Sequence, residues 1–168
     1  MFAHLLVPTD GSKLSDKALE HAVALAKATK AKITLFHASP ATPVPVYTDG
    51  MAYSLPAPRE YVKQAKEDAA KLLERAAAVA KKSGVPCGAI SVQAEAPWEA
   101  ILAAAKKAKA DTIVMASHGR RGLASLLLGS ETTKVLTHST IPVLVYRSKA
   151  AASRPERRAR EAASAELA

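Results

Sequence analysis

The chain has 168 residues, of which 49% are hydrophobic, 23% charged and only 4% aromatic, which fits one globular domain with an aliphatic core. No apolar stretch approaches the ~20 residues that span a bilayer. A single cysteine, Cys87, excludes an intrachain disulfide and a zinc framework, and with no basic segment ahead of the run that stops at Pro8 it points to the cytoplasm. The net charge of +9 invites nucleic acid, but the positive side chains are spread over helical segments and the C-terminal end with no aromatic interleaving, so no nucleic-acid partner is expected.

Residues 2–7, Phe-Ala-His-Leu-Leu-Val, form a short apolar run closed by Pro8-Thr9-Asp10-Gly11-Ser12, the pattern of a buried strand and a turn. Asp10 and Ser12 are both N-cap types, and Leu19, Ala22, Val23 and Ala26 follow at helical spacing. Residues 32–37 read as a second strand. Residues 39–58 hold five of the ten prolines (Pro40, Pro43, Pro45, Pro56 and Pro58) and read as a long loop, of a length that is usually functional or disordered. A helix is predicted over 59–83, stopped by Ser83-Gly84 and Pro86.

A third strand is predicted over 88–94, where Ile90 and Val92 alternate. Pro97 suits a first helical position, and Trp98, Ile101, Leu102 and Ala105 mark the helix that follows. Residues 111–115 give a fourth strand, 130–138 a fourth helix and 142–146 a fifth strand. Strands alternating with helices imply a mainly parallel sheet covered on both faces. Residues 148–168, rich in Ala, Ser, Arg and Glu, read as a charged, flexible or weakly helical tail.

In a doubly wound sheet, ligands bind beyond the carboxyl ends of the strands, where the strand order reverses. Two loops lie at such ends: Pro8 to Ser12 after strand one, and Ala116 to Ser130 after strand four. In the second, Gly119, Gly122 and Gly129 allow close backbone approach and unusual φ/ψ. The helix opening at Gly129-Ser130 presents free N–H groups and its positive dipole end. Ser130 and Thr132 add hydroxyls, and Arg120 and Arg121 add charge. The pattern suits an anion, although the same glycines also serve simply to shape a tight loop. There is no G-x-x-x-x-G-K-(S/T) and no G-x-G-x-x-G after strand one, which excludes the Walker loop and the dinucleotide fingerprint.

Several pieces together are specific: Leu6-Val7-Pro8-Thr9-Asp10-Gly11-Ser12, Thr34-Leu35-Phe36-His37, Ala110 to Met115, Ser117-His118-Gly119-Arg120-Arg121-Gly122-Leu123, Leu127-Leu128-Gly129-Ser130, and Val135 to Ser139 followed by Ile141 to Val145. In order and spacing they resemble the universal stress proteins, small domains of the wider adenine-nucleotide α-hydrolase-like superfamily, over residues 2–147. The resemblance implies an α/β fold: a single doubly wound, five-stranded, mainly parallel sheet of order 3-2-1-4-5 with four helices, Rossmann-like, in a domain at 1–147 ahead of the tail.

Nucleotide-binding members of that family carry G-x2-G-x9-G-(S/T). Gly119 and Gly129 have nine residues between them, and Gly129 precedes Ser130, whereas the first motif position holds Ala116. The extra methyl is a small intrusion at negative φ and a serious one at positive φ. By resemblance, Asp10 would hydrogen-bond the adenine or ribose edge, with Pro8 and Thr9 lining the base pocket. Ala38 would offer backbone contacts to adenine, and Met115 and Ala116 would pack near the ribose. Gly119, Gly129, Ser130 and Thr132 would hold the phosphates, with Arg120 and Glu131 in the same segment. His118 would either touch a phosphate or shape the loop. Plain structural roles stand beside these: a helix cap for Asp10 and core packing for Met115.

No residue is placed as a catalytic base or as a metal ligand. The resemblance therefore implies an ATP-binding stress-response sensor or regulator rather than an efficient catalyst, the ATP accompanied by Mg²⁺ or Mn²⁺. The alternatives are a family member without nucleotide that acts through protein contacts, and a weak ATPase. It also implies a homodimer that pairs the fifth strand, Pro142 to Tyr146, across a two-fold axis. No membrane partner is expected.

Overall fold

The computed structural model describes residues 2–40, 44–48, 51–55, 59–119 and 128–147, with 44–48 and 51–55 described by backbone alone. The tail at 148–168 and Arg120, Arg121 and Gly122 lie outside the described residues. In chain order the elements are β1 (His4–Pro8), α1 (Lys13–Thr29), β2 (Lys32–Pro40), β3 (Val44–Thr48), β4 (Met51–Leu55), α2 (Arg59–Lys82), β5 (Cys87–Ala94), α3 (Pro97–Ala108), β6 (Thr112–Ala116), α4 (Ser130–His138) and β7 (Val143–Tyr146). The main sheet has five strands in the order β5-β2-β1-β6-β7, and every neighbouring pair is parallel. Counting only its own strands, that order is 3-2-1-4-5, with four helices, as the resemblance implied.

The side-chain alternation of β1 explains the layering. Leu5 and Val7 enter one core with Leu19, Val23 and Ala26 of α1 and Leu72, Leu73 and Ala76 of α2. Leu6 points the other way and packs with Phe36, Ile113 and Met115 against Ile101, Ala104 and Ala105 of α3 and Val135 of α4. A strand buried on both faces reads as a continuous apolar run, because each face has its own helices to pack against. The alanine on the helix faces lets α1 and α3 sit close to the sheet.

The prolines of residues 39–58 predicted a loop, and here the structure differs. β2 runs on to Pro40, and β3 and β4 pair antiparallel as a separate two-stranded sheet, with Val46 opposite Tyr53 and Pro45 opposite Ser54. Pro45 is tolerable because each strand of a two-stranded ribbon has a free edge that asks for no N–H. Residues 41–43, 49–50 and 56–58 of the predicted loop lie outside the described residues.

Two ionisable groups at the amino end of the sheet set an acid limit on stability. His4 is buried, with Nε2 2.8 Å from Thr34 Oγ1. Desolvation, and then the charge of Lys32, hold it below the ordinary histidine value. Desolvation pushes the Asp111 carboxyl up, but hydrogen bonds from the Ala3 and His4 backbones and the Thr112 hydroxyl outweigh it and hold the group below its ordinary value. In both cases the unfolded chain binds more protons than the folded one, so stability falls on acidification. His4 acts as pH drops below about 6.5, and Asp111 acts below about 4. Melting temperatures measured from pH 8 to pH 5 are expected to decline on the acid side, and His4→Gln is expected to flatten that decline. An unchanged decline in the variant contradicts the assignment to His4.

Candidate functional site

The strand order reverses between β1 and β6, which are parallel neighbours with Leu5 beside Thr112 and Leu6 beside Ile113. The loops after them therefore open side by side, at the position where doubly wound sheets bind ligands.

The β1–α1 loop is fixed by its own polar atoms. Thr9 N donates to Phe36 O at 2.8 Å, and His37 Nδ1 lies 2.8 Å from Thr9 O, so the loop is pinned to β2. That gives His37 a structural task. Asp10 Oδ1 accepts from Ser12 N at 3.0 Å, a local side-chain turn. Ser12, not Asp10, caps α1, its Oγ accepting from Ser15 N at 3.2 Å.

The second loop leaves β6 at Ala116, whose chain neighbour Ser117 donates its N–H to Tyr146 O of β7 at 2.8 Å. Gly129 N returns to Ser117 O at 2.8 Å, which closes the loop, and α4 starts from there. Gly119 and Gly129 were expected to supply unusual φ/ψ. Neither takes a positive φ; what they supply is room. A Cβ on Gly119 would lie 2.9 Å from Asp10 Oδ2, and one on Gly129 would lie 3.2 Å from Ser117 O. Glycine at 119 lets the two loops touch, and glycine at 129 lets the helix start lie on the strand end.

The loops enclose an open cavity of about 230 Å³. Its apolar part is made by Pro8, Phe36, Ala38, Ile101 and Met115, and its polar part by Thr9, Asp10, Ser15, His118, Glu131 and Thr132. Pro97, Ala116 and Gly119 complete the described lining. Pro8, Thr9, Asp10, Ala38, Met115, Ala116, His118, Gly119, Glu131 and Thr132 are thus brought together from residues expected on sequence grounds. Gly129 supports the wall without lining it, Ser130 is exposed on the first turn of α4, and Arg120 lies outside the described residues.

Sequence reasoning missed Ser15, Phe36, Ile101 and Pro97. Phe36 and Ile101 are core residues whose edges reach the cavity, and Ser15 is 3% exposed with its Oγ 3.1 Å from Thr9 Oγ1. The position of Phe36 on β2, directly opposite the end of β1, is a usable signal: Pro8 pairs with Phe36.

Three details bear on chemistry. Ala116 closes β6 opposite Tyr146 and takes no positive φ, so its methyl is an ordinary strand side chain at 8% exposure. Thr132 Oγ1 donates to Ala116 O at 3.0 Å, so its proton is committed to the fold and only its lone pairs face outward. His118 has Nδ1 3.0 Å from Ser117 Oγ, while its Nε2 is buried and finds no partner among the described residues. An unpaired buried polar atom costs about 1–3 kcal/mol, and a ligand's polar group would offset that. Elsewhere, burial pushes the Cys87 thiol up, which lowers its thiolate fraction. Among the described residues, no group of three His, Cys, Asp or Glu is placed to hold a metal ion, and no helix is long and apolar enough to cross a membrane.

The sequence profile of the universal stress protein family matches residues 1–147. Universal stress protein YxiE of Bacillus subtilis is 35% identical over 151 residues, covering 88% of this chain and all of that protein. A universal stress protein of Thermus aquaticus, from the 3′ region of its QAH/OAS sulfhydrylase, is 37% identical over 147 residues with the same coverage of this chain and all of its own. Among solved structures, a universal stress protein in complex with cAMP superposes with a TM-score of 0.64 at 26% identity, covering 87% of this chain and 97% of its own. This chain belongs to the universal stress protein family.

Proposed function

We propose that the chain binds an adenine nucleotide, ATP and its shorter relatives, in the cavity between the β1–α1 and β6–α4 loops, and acts in the cytoplasm as a stress-response sensor or regulator rather than an efficient catalyst. The observation that carries this is the meeting of an apolar slot, the Asp10 loop and the α4 N-terminus in one cavity at the sheet's switch point. The related structure that holds cAMP supports the choice of an adenine ligand. The base fits the apolar part beside Pro8, Ala38 and Met115, and Asp10 accepts from the base or ribose. The phosphates lie toward Gly119, Gly129, Ser130 and Thr132, where free N–H groups of the helix start suit an anion. His118 Nε2 gains its missing partner from the ligand. Mg²⁺ or Mn²⁺, where present, would be carried by the phosphates.

Calorimetric titration of nucleotide-stripped protein with ATP, with and without Mg²⁺, tests this. Saturable heat without phosphate release above that of a Gly129→Val control is the expected result. Silence at millimolar ATP and at millimolar AMP contradicts it and leaves a family member that works through protein contacts. Steady phosphate release favours a weak ATPase.

Ala116 is compatible with this reading because its backbone needs no glycine. Ala116→Gly is expected to change nucleotide affinity by less than tenfold, about 1.4 kcal/mol. A larger gain would show that the methyl obstructs the ligand.

We also propose a homodimer through β7. This strand is the sheet edge at its end of the order, and Leu144 on it is 41% exposed. An uncovered apolar edge is an aggregation hazard that pairing removes. Sedimentation at micromolar concentration is expected to give a dimer, and a Leu144→Lys variant a monomer. A wild-type monomer contradicts the proposal.

A further inference from the structure

Helix α3 begins without a cap of its own, with Ala96 at the N-cap position and Pro97 first. The free N–H of Trp98 is taken instead by Glu131, whose Oε2 accepts at 2.9 Å across 33 residues of sequence. Glu131 Oε1 lies 3.6 Å from Lys134 Nζ. Glu131 stands in the first turn of α4 and, with Pro97, lines the cavity. Its carboxylate is therefore fixed where the positive ends of two helices meet at the cavity wall, the place an anionic ligand group seeks. Among the described lining residues the only formal charges are two carboxylates, Asp10 and Glu131; Lys134 pairs with Glu131 from outside that lining.

Resting on the adenine-nucleotide reading above, we propose that Glu131 is a specificity-determining residue that makes this site favour nucleotides with a single phosphate over those with a triphosphate. One phosphate is served by the N–H groups that open α4. A second and third must extend along a wall whose helix-terminal positions are already filled by a carboxylate. ATP brings about two more negative charges than AMP, and these face Glu131, whose side chain is 38% exposed, so the repulsion is screened by water but still sets the longer phosphates against a carboxylate held in place. Glu131 does not yield easily, because turning away would leave Trp98 N without its acceptor and would give up the Lys134 pair.

The test is calorimetric affinity of the full chain for AMP and for ATP, in EDTA so that ATP keeps its full charge. Wild type is expected to bind AMP at least tenfold more tightly. E131Q keeps an amide oxygen for Trp98 N and removes the charge, and it is expected to shrink the AMP-to-ATP ratio at least tenfold, mainly through tighter ATP binding. Independently of any variant, raising salt from 0.02 to about 0.5 M is expected to narrow the wild-type ratio, since screening weakens the repulsion. Equal wild-type affinities, or a ratio that neither E131Q nor salt moves, overturns the role of Glu131 while leaving the nucleotide site standing. If neither nucleotide binds either protein, the adenine-nucleotide reading itself falls and this proposal falls with it.

Discussion

Gly129→Val is expected to abolish measurable nucleotide binding, with affinity reduced at least a hundredfold, and to destabilise the fold by about 1–3 kcal/mol. The reason is local and steric. The first carbon of any side chain at 129 would lie 3.2 Å from Ser117 O and 3.4 Å from His118 Cα. Those are backbone atoms at the end of β6, and Ser117 is tied to Tyr146 of β7 by a 2.8 Å hydrogen bond, so they have little freedom to retreat. The start of α4 must move instead. That strains the Gly129 N to Ser117 O hydrogen bond and shifts the helix N-terminus that the phosphates are proposed to meet. Gly129→Ala places only one carbon there and should have a milder effect in the same direction. Denaturant melts give the stability change, and calorimetry gives the affinity. A valine variant with wild-type affinity would mean that the α4 start does not bind the ligand.

Asp10→Ala should reduce nucleotide affinity roughly five- to 150-fold, the range set by the 1–3 kcal/mol lost when a buried hydrogen-bond partner is left unpaired. The same change removes the acceptor for Ser12 N, so a stability loss of about 0.5–1.5 kcal/mol accompanies it. Asp10→Asn separates the two effects, since its amide oxygen can still accept from Ser12 N. The asparagine variant is therefore expected to melt near wild type. Where both variants melt with no change in ligand-induced stabilisation, Asp10 serves the turn alone.

Much of this architecture is legible in the sequence because the physics is local. Leu5-Leu6-Val7 is apolar throughout, and that is what a parallel strand covered on both faces must be. Gly84, at φ +71, ends the region after α2 where the sequence predicts a stop. Pro97 opens α3 as expected. The β3–β4 hairpin was hidden because five prolines outweighed the alternation in Val44-Pro45-Val46 and Met51-Ala52-Tyr53, with Asp49-Gly50 as a hairpin signal between them.

The site was legible where topology dictates it. Once β1 and β6 are neighbours, Asp10 and Gly119 must approach each other, and the 2.9 Å gap that a Cβ would meet shows how closely. It was not legible where it depends on distances between remote segments. Phe36 and Ile101 look like any core residue in the sequence. The hydrogen bond from Trp98 N to Glu131 joins two helices that no short motif links. The reason for glycine at 119 and 129 also lay beyond the sequence, which points equally to backbone freedom and to space; the structure assigns it to space.

The central claim, an adenine nucleotide in the cavity between the two loops, is tested most directly by amide chemical shifts of the isotope-labelled chain titrated with AMP. Saturable shifts are expected at Thr9, Asp10, Ala38, Gly119 and Gly129 and on the first turn of α4, with little change along α2 or at the amino ends of the strands. A spectrum unmoved at millimolar AMP, or shifts that cluster away from the carboxyl ends of β1 and β6, would contradict it.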